Sequence, residues 1–388
     1  MDEVLQIRQR PSGPAFSAVE RVSPTLAESL RECPLKVAFG RDPAFRFLKK
    51  ATPASALGIA VHELIDRAQR GQFAAESEPA RRAAVDGAWE ELIARSYEEL
   101  RSQWRLGEVP EPDTWPGFAL TRVVATRWVM NWTPRVAGGS SATRVVAEEP
   151  LAPKGLAIVG RPDRVEIAGS RIEIVDIKSG WSQPTEMSPR HRRQLLAYCF
   201  IWHACHGSWP TVASIQRLDG KRLSMEVMPH DAEAAGVDMA SLLEDYNLRV
   251  ASGHNTDAFA KPSEEACRWC DYSLACDGFF RVVTHEWSWY RKCALGDVVD
   301  IASSRQGLRV TLKRIAGDSL HDDGWVAVQV PVQELEAPRP GSRLAFVRLL
   351  PTRSADLKTS WDSQACEWGE RPEEVQAQDE LERGDSRG

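Results

Sequence analysis

The stretch that decides the fold is IVGRPDRV at residues 158–165, followed by IVDIKSG at residues 174–180. Both runs are rich in β-branched residues and enclose an Ala-Gly-Ser turn, which predicts a hairpin. Asp163 and Asp176 lie on its two arms, thirteen residues apart. Because side chains alternate along a strand, Asp176 and Lys178 share one face. The pattern predicts two carboxylates and one ammonium group at the same edge of a small sheet.

Two adjacent carboxylates form the kind of oxygen site that binds Mg²⁺ or Mn²⁺. Such an ion can bind a phosphate and lower the pKa of a bound water, and Lys178 would orient that water or stabilise the developing charge. A D-x-K triplet also arises by chance on surface strands. The hairpin alone therefore leaves open whether this is an active site or an ordinary strand.

Helical patterns flank the hairpin on both sides. Upstream, GIAVHELI at residues 58–65 places His62 beside an apolar helix face. Downstream, Gln194 and Tyr198 lie one helical turn apart and share a face. A lone histidine on an apolar face is usually a core residue, and Gln194 and Tyr198 are also compatible with an ordinary helix. The order helix, hairpin, helix favours a functional site.

These motifs, in this order, resemble those of the PD-(D/E)XK nuclease superfamily, especially its RecB-like exonuclease branch. Pro162-Asp163 and Asp176-Ile177-Lys178 match the motif that names the superfamily. QLLAY, which contains Gln194 and Tyr198, matches the Q-x-x-x-Y motif of the branch. The resemblance implies an α/β, restriction-endonuclease-like core with a helical N-terminal part.

The resemblance also implies roles for these residues. A divalent metal ion would be held by His62, Asp163, Asp176 and Ile177. Lys178 would assist the attacking water, and Gln194 and Tyr198 would lie near the metal and the DNA. An imidazole among carboxylates favours Mn²⁺ more than a purely oxygen site does.

Four of the eight cysteines form a second pattern. Cys267, Cys270 and Cys276 are closely spaced, whereas Cys33 stands apart near the N-terminus. In a reducing compartment, clustered cysteines indicate metal ligands rather than disulfides. The other four have no paired spacing and are predicted to be small core residues: Cys199, Cys205, Cys293 and Cys366.

One cysteine before the nuclease motifs and three after them resemble the cluster-bearing branch of RecB-like nucleases, which includes the CRISPR-associated exonucleases. The resemblance implies a [4Fe–4S] cluster that joins the two ends of the catalytic domain. A zinc site with four cysteines is the alternative, because the sequence cannot distinguish the two.

Basic and aromatic residues offer candidate contacts to nucleic acid. Arg190, Arg192 and Arg193 precede Gln194 and would contact phosphates, or form an ordinary solvated first turn. Aromatic residues near the cysteines and beyond them would stack on bases, or fill a joint between domains: Trp269, Trp287, Trp289 and Tyr290.

Composition and length indicate one large and one small domain in 388 residues. We expect a flexible arm at 1–16, a nuclease domain at 17–285, a small all-β barrel at 286–368 and a disordered acidic tail at 369–388. An OB-like barrel fits the third segment and would bind nucleic acid. No apolar run suggests a membrane span or signal peptide, so a cytoplasmic location is expected.

The net charge of −6 does not exclude a DNA-binding protein. Residues 370–388 carry seven acidic and three basic side chains, so the rest of the chain has a net charge of −2. A nearly neutral body leaves room for a local basic groove.

The hypothesis is a Mg²⁺- or Mn²⁺-dependent deoxyribonuclease, an exonuclease preferring single-stranded DNA, in repair, CRISPR adaptation or phage defence. The alternatives are a catalytically inactive DNA-binding adaptor of the same fold and a zinc-containing version of the enzyme. The chain lacks a G-x-x-x-x-G-K-[ST] motif, so unwinding would need a separate helicase partner.

Overall fold

The structure is a computed structural model. It describes residues 4–74, 77–103, 106–132, 144–178, 185–284, 287, 291–304, 307–317, 324–331, 334–336, 339–352 and 356–369. Within these residues, none of the helices has both the length and the apolar character of a membrane span.

The N-terminal part is helical, as predicted. After a short strand β1 (Val4–Gln6), its helices are α1 (Pro24–Glu32), α2 (Pro34–Arg41), α3 (Pro53–Gln69), α4 (Glu78–Ser102) and α5 (Phe118–Asn131). Ser23, Thr52 and Ser77 cap α1, α3 and α4, and each is followed by proline within the first two helical positions. A hydroxyl cap satisfies a free backbone N–H, and proline fits where no N–H is needed. Local sequence therefore sets where these helices begin.

A five-stranded mixed sheet follows. Its elements are β2 (Arg144–Ala147), β3 (Arg164–Ala168), β4 (Arg171–Lys178), α6 (Pro189–His206), β5 (Val212–Arg217) and β6 (Arg222–Glu226). The strands lie in chain order, and β4 and β5 are the parallel pair. A parallel pair needs a crossover, which α6 provides.

Helices cover both faces of this sheet. Ile174 and Ile215 pack in one core cluster with α6, whereas Ile177 and Leu218 pack in another with α3, α4 and α5. Further helices follow the sheet: α7 (Pro229–Ala251), α8 (Thr256–Phe259), α9 (Glu264–Arg268) and α10 (Asp277–Val282). Of these, α7 packs along α6.

The C-terminal strands close into a barrel. They are β7 (Lys292–Ser304), β8 (Gly307–Gly317), β9 (Trp325–Val330), β10 (Glu334–Glu336), β11 (Arg343–Pro351), β12 (Leu357–Lys358) and β13 (Gln364–Trp368). Strands β7, β8, β9, β12 and β11 pair in that order, and β11 pairs back onto β7. The predicted five-stranded barrel is confirmed. Its β9–β12 pair is parallel, and β13 extends it beyond β11.

The N-terminal residues, expected to form a flexible arm, instead lie against the barrel where they are described. Strand β1 pairs with β10, and Ile7 is buried in the barrel core. The Arg10 N–H donates to Glu367 O at 2.8 Å, and the Glu367 N–H donates to Arg8 O at 2.9 Å. Local sequence patterns cannot predict a contact between residues more than 300 positions apart. The predicted acidic tail lies outside the described residues beyond 369.

Buried polar contacts join the barrel to the helical core. Gln364 Nε2 donates to Leu48 O at 2.9 Å, and Trp368 Nε1 donates to Leu274 O at 3.1 Å. Both contacts are buried, where hydrogen bonds to the backbone are costly to break. The barrel is therefore packed on the segment that carries the closely spaced cysteines.

Two helical glycines provide a matched test of this packing. A Cβ at Gly236 of α7 would lie 2.5 Å from the Phe200 ring of α6, whereas a Cβ at Gly87 of α4 meets nothing within 4 Å. Alanine is favoured over glycine in helices by about 1 kcal/mol, and overpacking costs about 1–3 kcal/mol. We expect Gly87→Ala to raise the melting temperature and Gly236→Ala to lower it, measured by circular dichroism. Equal shifts in both variants would contradict this packing.

Candidate metal centre

Three side chains from different elements converge at one edge of the central sheet. His62 lies on α3, Glu148 follows β2, and Asp163 precedes β3. One potential ligand atom from each lies within 4.8 Å of the others. Ligand atoms this close can share one divalent ion after small side-chain movements. The structure thus brings together His62 and Asp163 of the predicted set, and adds Glu148.

Glu148 was missed by the sequence analysis. Its backbone φ is 52°, in the left-handed region that non-glycine residues seldom adopt. The Glu148 N–H donates to Asp163 O at 3.2 Å, and Arg161 contacts both the Glu148 carbonyl, at 2.9 Å, and its carboxylate, at 2.7 Å. These contacts hold the carboxylate at the end of β2. The sequence does contain one indication of this role, because Glu148 directly follows a β-prone run that could pair with β3.

Asp163 is tied to the other arm of the hairpin. Its Oδ2 accepts a hydrogen bond from the Ile177 N–H at 2.6 Å. Burial, reinforced by the charge of Asp176, raises the pKa of Asp163 to about 7, although the Ile177 hydrogen bond acts in the opposite direction. Ile177 thus holds Asp163 through its backbone N–H, and its predicted role as a metal ligand stays a prediction. A proton and a metal ion would compete for the carboxylate.

Asp176 and Lys178 lie beside this group, on one face of β4 as predicted. Asp176 is buried, and its Oδ2 lies 2.7 Å from Lys178 Nζ. The same oxygen accepts no hydrogen bond of good geometry from the described residues. Asp176 is not within the 4.8 Å group of ligand atoms. It is nevertheless near enough to raise the pKa of Asp163 and to oppose the lowering of the pKa of His62.

The His62 imidazole is suited to binding a metal ion. Burial lowers its pKa, while Glu148 and Asp176 act in the opposite direction. A lowered pKa keeps the ring neutral at pH 7, with a lone pair available for coordination. Together with two carboxylates and a buried oxygen on Asp176, this donor set fits a divalent ion such as Mn²⁺ or Mg²⁺.

Helix α6 presents a row of polar residues to this site. Burial raises the pKa of Tyr198 to about 12, a hydrogen bond from Gln194 lowers it, and the charges of Asp163 and Asp176 raise it further. The Tyr198 ring packs on Gly160, where a Cβ would lie only 3.2 Å from it. The phenol is therefore neutral and fixed next to the carboxylates.

His191 was not assigned a role from the sequence. It lies three residues before Gln194, on the same helix face. Burial and Lys178 lower its pKa, Asp176 raises it, and its Nδ1 is buried without a hydrogen bond among the described residues. The charges of Asp176 and Lys178 therefore act on His191 as well.

The predicted arginines are paired with carboxylates. Arg190 contacts Glu32, Arg192 contacts Asp231, and Arg193 makes two hydrogen bonds to Glu28, at distances between 2.6 and 2.9 Å. Their guanidinium groups link α6 to α1 and α7. A contact between these arginines and phosphate stays a prediction, and it would compete with these ion pairs.

The four predicted cluster ligands line one small pocket: Cys33, Cys267, Cys270 and Cys276. The Lys261 N–H donates to the Cys33 Sγ at 3.5 Å, and the Phe279 N–H donates to the Cys276 Sγ at 3.3 Å. Burial raises the pKa of Cys267 to about 11 and that of Cys276 to about 12. The thiols of Cys267 and Cys276 are therefore protonated at pH 7, and they bind metal only on losing their protons.

The spacing of these sulfurs bears on the kind of metal site. Among the described residues, no three of the four sulfur atoms lie within 4.8 Å of one another. Zn–S bonds of 2.3 Å in a tetrahedron would require sulfurs about 3.8 Å apart. The cysteine sulfurs therefore do not have the spacing of an assembled zinc site.

The remaining cysteines and aromatic residues differ in environment. Cys199, Cys293 and Cys366 are buried as predicted, but Cys205 is exposed. This part of the prediction was wrong, because Cys205 lies near the end of α6, where the helix leaves the core.

The aromatic residues predicted to stack on bases differ in environment. Trp287 packs on Phe279, whereas Trp269 is 76% exposed. Trp289 and Tyr290 lie outside the described residues.

Comparisons with known proteins point to one family. The model of the PD-(D/E)XK nuclease superfamily matches residues 21–277, more than half of the chain. A search of curated proteins finds no significant match. The chain is also similar to a solved structure titled "Crystal structure of SSO0001", with 11% identity over 68% of this chain and 88% of that one and a TM-score of 0.28. From the family match, the chain belongs to the PD-(D/E)XK nuclease superfamily.

Proposed function

We propose that the protein is a metal-dependent deoxyribonuclease that hydrolyses phosphodiester bonds, acting as an exonuclease on single-stranded DNA. The observation that carries the proposal is the convergence of His62, Glu148 and Asp163 next to Asp176 and Lys178. Membership of the nuclease superfamily supports the same reaction class.

Each side chain has a role in this proposal. His62, Glu148 and Asp163 hold the divalent ion, and Asp176 supplies a further carboxylate oxygen. When bound, the ion would polarise the scissile phosphate and lower the pKa of a water molecule. Lys178, already paired with Asp176, positions the attacking water and stabilises negative charge that develops on the phosphate.

Gln194 and Tyr198 position the substrate strand. The neutral Tyr198 hydroxyl can donate a hydrogen bond to a phosphate oxygen, and Gln194 holds that hydroxyl through its own hydrogen bond. Because Gly160 packs against the ring, Tyr198 has little freedom to turn away. This rigidity favours one orientation of the DNA backbone at the metal ion.

The barrel supports the preference for single strands. The strand order β7-β8-β9-β12-β11, with β9 and β12 parallel, is that of an OB-like barrel. Lys313 of β8 lies opposite Trp325 of β9, and both are exposed, as is Arg309 further along β8. A cation next to an aromatic ring suits an unpaired base and its phosphate. We propose that this face guides the strand toward the metal centre.

A [4Fe–4S] cluster is proposed for the cysteine pocket. Four cysteines that line one pocket, with two N–H groups donating to sulfur, support it. The cluster would join Cys33, between α1 and α2, to Cys267 more than 230 residues later. Closing so long a loop restricts the unfolded chain and favours the folded one. Zinc is the alternative occupant.

The competing proposal is a catalytically inactive DNA-binding adaptor. The complete donor set at the metal centre argues against it, since an adaptor has no need of buried, mutually repelling carboxylates. A helicase or another repair or defence protein would supply unwound DNA, and such a partnership fits a cytoplasmic enzyme.

Removing the Asp163 carboxylate tests the reaction. We expect Asp163→Asn, and separately Lys178→Ala, to slow digestion of end-labelled single-stranded DNA with Mn²⁺ by about 100-fold or more, since each removes a charge at the reacting phosphate. The exposed Asp245→Asn should cleave at the wild-type rate. Wild-type cleavage by both site variants would refute the assignment, and an inactive wild type that still binds DNA would favour the adaptor.

Glu148 and its neighbour allow a matched test of metal binding. We expect Glu148→Gln to weaken Mn²⁺ binding about tenfold or more in calorimetric titration, because a charged ligand is lost. Glu149→Gln changes an adjacent exposed glutamate and should bind Mn²⁺ as the wild type does. Equal affinities in the two variants would place the ion elsewhere.

The occupant of the cysteine pocket can be identified by analysis of anaerobically purified protein. We expect about four iron and four sulfide per chain, with a brown colour that Cys270→Ser loses and the exposed Cys205→Ser keeps. A colourless protein with one zinc per chain would show that the pocket holds zinc and not an iron–sulfur cluster. A metal-free protein would exclude both.

A further inference from the structure

A further pocket lies on the face of the sheet that α5 covers. Its walls include Trp128 of α5, Trp132 directly after this helix, Arg164 of β3 and Gln216 of β5, and its volume is about 320 Å³. Arg164 pairs with Val175 and Gln216 pairs with Ile177, which alternate with Asp176 along β4. The pocket therefore lies on the face of β4 opposite to the side chains of Asp176 and Lys178.

Two stacked indoles form one wall. The ring centroids of Trp128 and Trp132 are 5.3 Å apart, with an angle of 9° between the ring planes. Trp128 lies in the last turn of α5, and Trp132 is the C-cap residue of the same helix. The Trp132 Nε1 is buried without a hydrogen bond among the described residues. In a packed core, aromatic rings are covered by other side chains. Here the two indoles and the Trp132 N–H border an open cavity instead.

Positive charge completes the pocket. The Arg164 guanidinium carbon lies 5.6 Å from the centroid of the Trp132 ring, and its side chain is only 2% exposed. Glu166 balances part of this charge through a 3.0 Å contact with the Arg164 Nε. Arg127 at the rim is exposed and makes no ion pair with the described residues. A cation deep in a cavity and another at its mouth suit an aromatic ring attached to a phosphate.

The size of the pocket limits what it can hold. Ligand pockets usually measure about 300–1,000 Å³, so 320 Å³ is near the lower end. This volume suits one nucleotide, whereas a base pair within a duplex could not enter without unstacking. An unpaired base can enter at little cost.

The position along the chain links the pocket to the reaction. Arg164 follows Asp163 directly, and Gln216 lies opposite Ile177, between Asp176 and Lys178. The pocket wall is therefore built on the strands that flank β4, in register with the proposed catalytic residues.

We propose that this pocket binds an unpaired nucleobase of the DNA strand, stacked on the indoles of Trp128 and Trp132 and flanked by Arg127 and Arg164. The inference rests on the proposed nuclease function and adds a base-binding subsite to it. Stacking on a wall that accepts any base would give a preference for single strands without a strong sequence preference.

The test compares Trp128→Ala with Trp128→Phe, and uses Leu248→Ala as a control at an exposed apolar residue of α7, away from the pocket. Binding of a fluorescent oligothymidylate is measured by anisotropy, without added divalent metal, alongside cleavage kinetics and melting temperatures. We expect Trp128→Ala to weaken binding about tenfold and to raise KM with little change in kcat. Trp128→Phe should largely restore both, because it keeps an aromatic face.

The outcomes separate this subsite from the nuclease proposal. Wild-type affinity and KM in a folded Trp128→Ala would overturn the subsite, even if Asp163→Asn abolishes cleavage. Weakened binding in Trp128→Ala together with unimpaired cleavage by Asp163→Asn would instead overturn the catalytic assignment and keep the subsite. Thymidine monophosphate is added as a competitor of the oligothymidylate. If the mononucleotide binds as tightly as the oligonucleotide, the pocket does not act in binding a strand. A loss that Trp128→Phe does not restore would contradict stacking.

Discussion

Mutual repulsion among clustered carboxylates is the constraint on which the centre of this structure depends. Glu148, Asp163 and Asp176 approach the edge of one sheet from three points of the chain, and burial makes the charges of the two aspartates costly. The folded protein holds a proton on Asp163 more tightly than the unfolded chain does, since its pKa is raised to about 7. Ionisation of this group therefore destabilises the fold as pH rises through that value. A bound cation would relieve the same repulsion.

The surrounding structure opposes that repulsion with short, rigid connections. The Ile177 N–H holds Asp163, Arg161 holds Glu148, and Lys178 faces Asp176. Each of these partners lies within two residues of a carboxylate or on the strand paired with it. The site is thus built mainly by pairing within the sheet. Helices α3 and α6 contribute the imidazole and the phenol from the two sides.

Much of this arrangement could be predicted from the sequence because it depends on periodicity. Alternation along β4 placed Asp176 with Lys178, and helical spacing placed Gln194 with Tyr198. Glu148 could not be found in this way, because its position depends on the pairing of β2 with β3 and on a left-handed backbone. The ion pairs of Arg190, Arg192 and Arg193 were equally invisible, since their partners lie on helices distant in sequence. Short-range patterns predicted the elements, whereas the contacts between them required the fold.

The pairing of the first described residues with the barrel has a mechanical consequence. Residues 8–10 hydrogen-bond to Glu367, and the Arg10 side chain also pairs with Asp277 and covers the Trp368 ring. The segments at opposite ends of the described chain therefore hold each other in place. Neither can fray without exposing the backbone of the other, so local opening at either end should be coupled, and protection from amide exchange should be lost in both segments together.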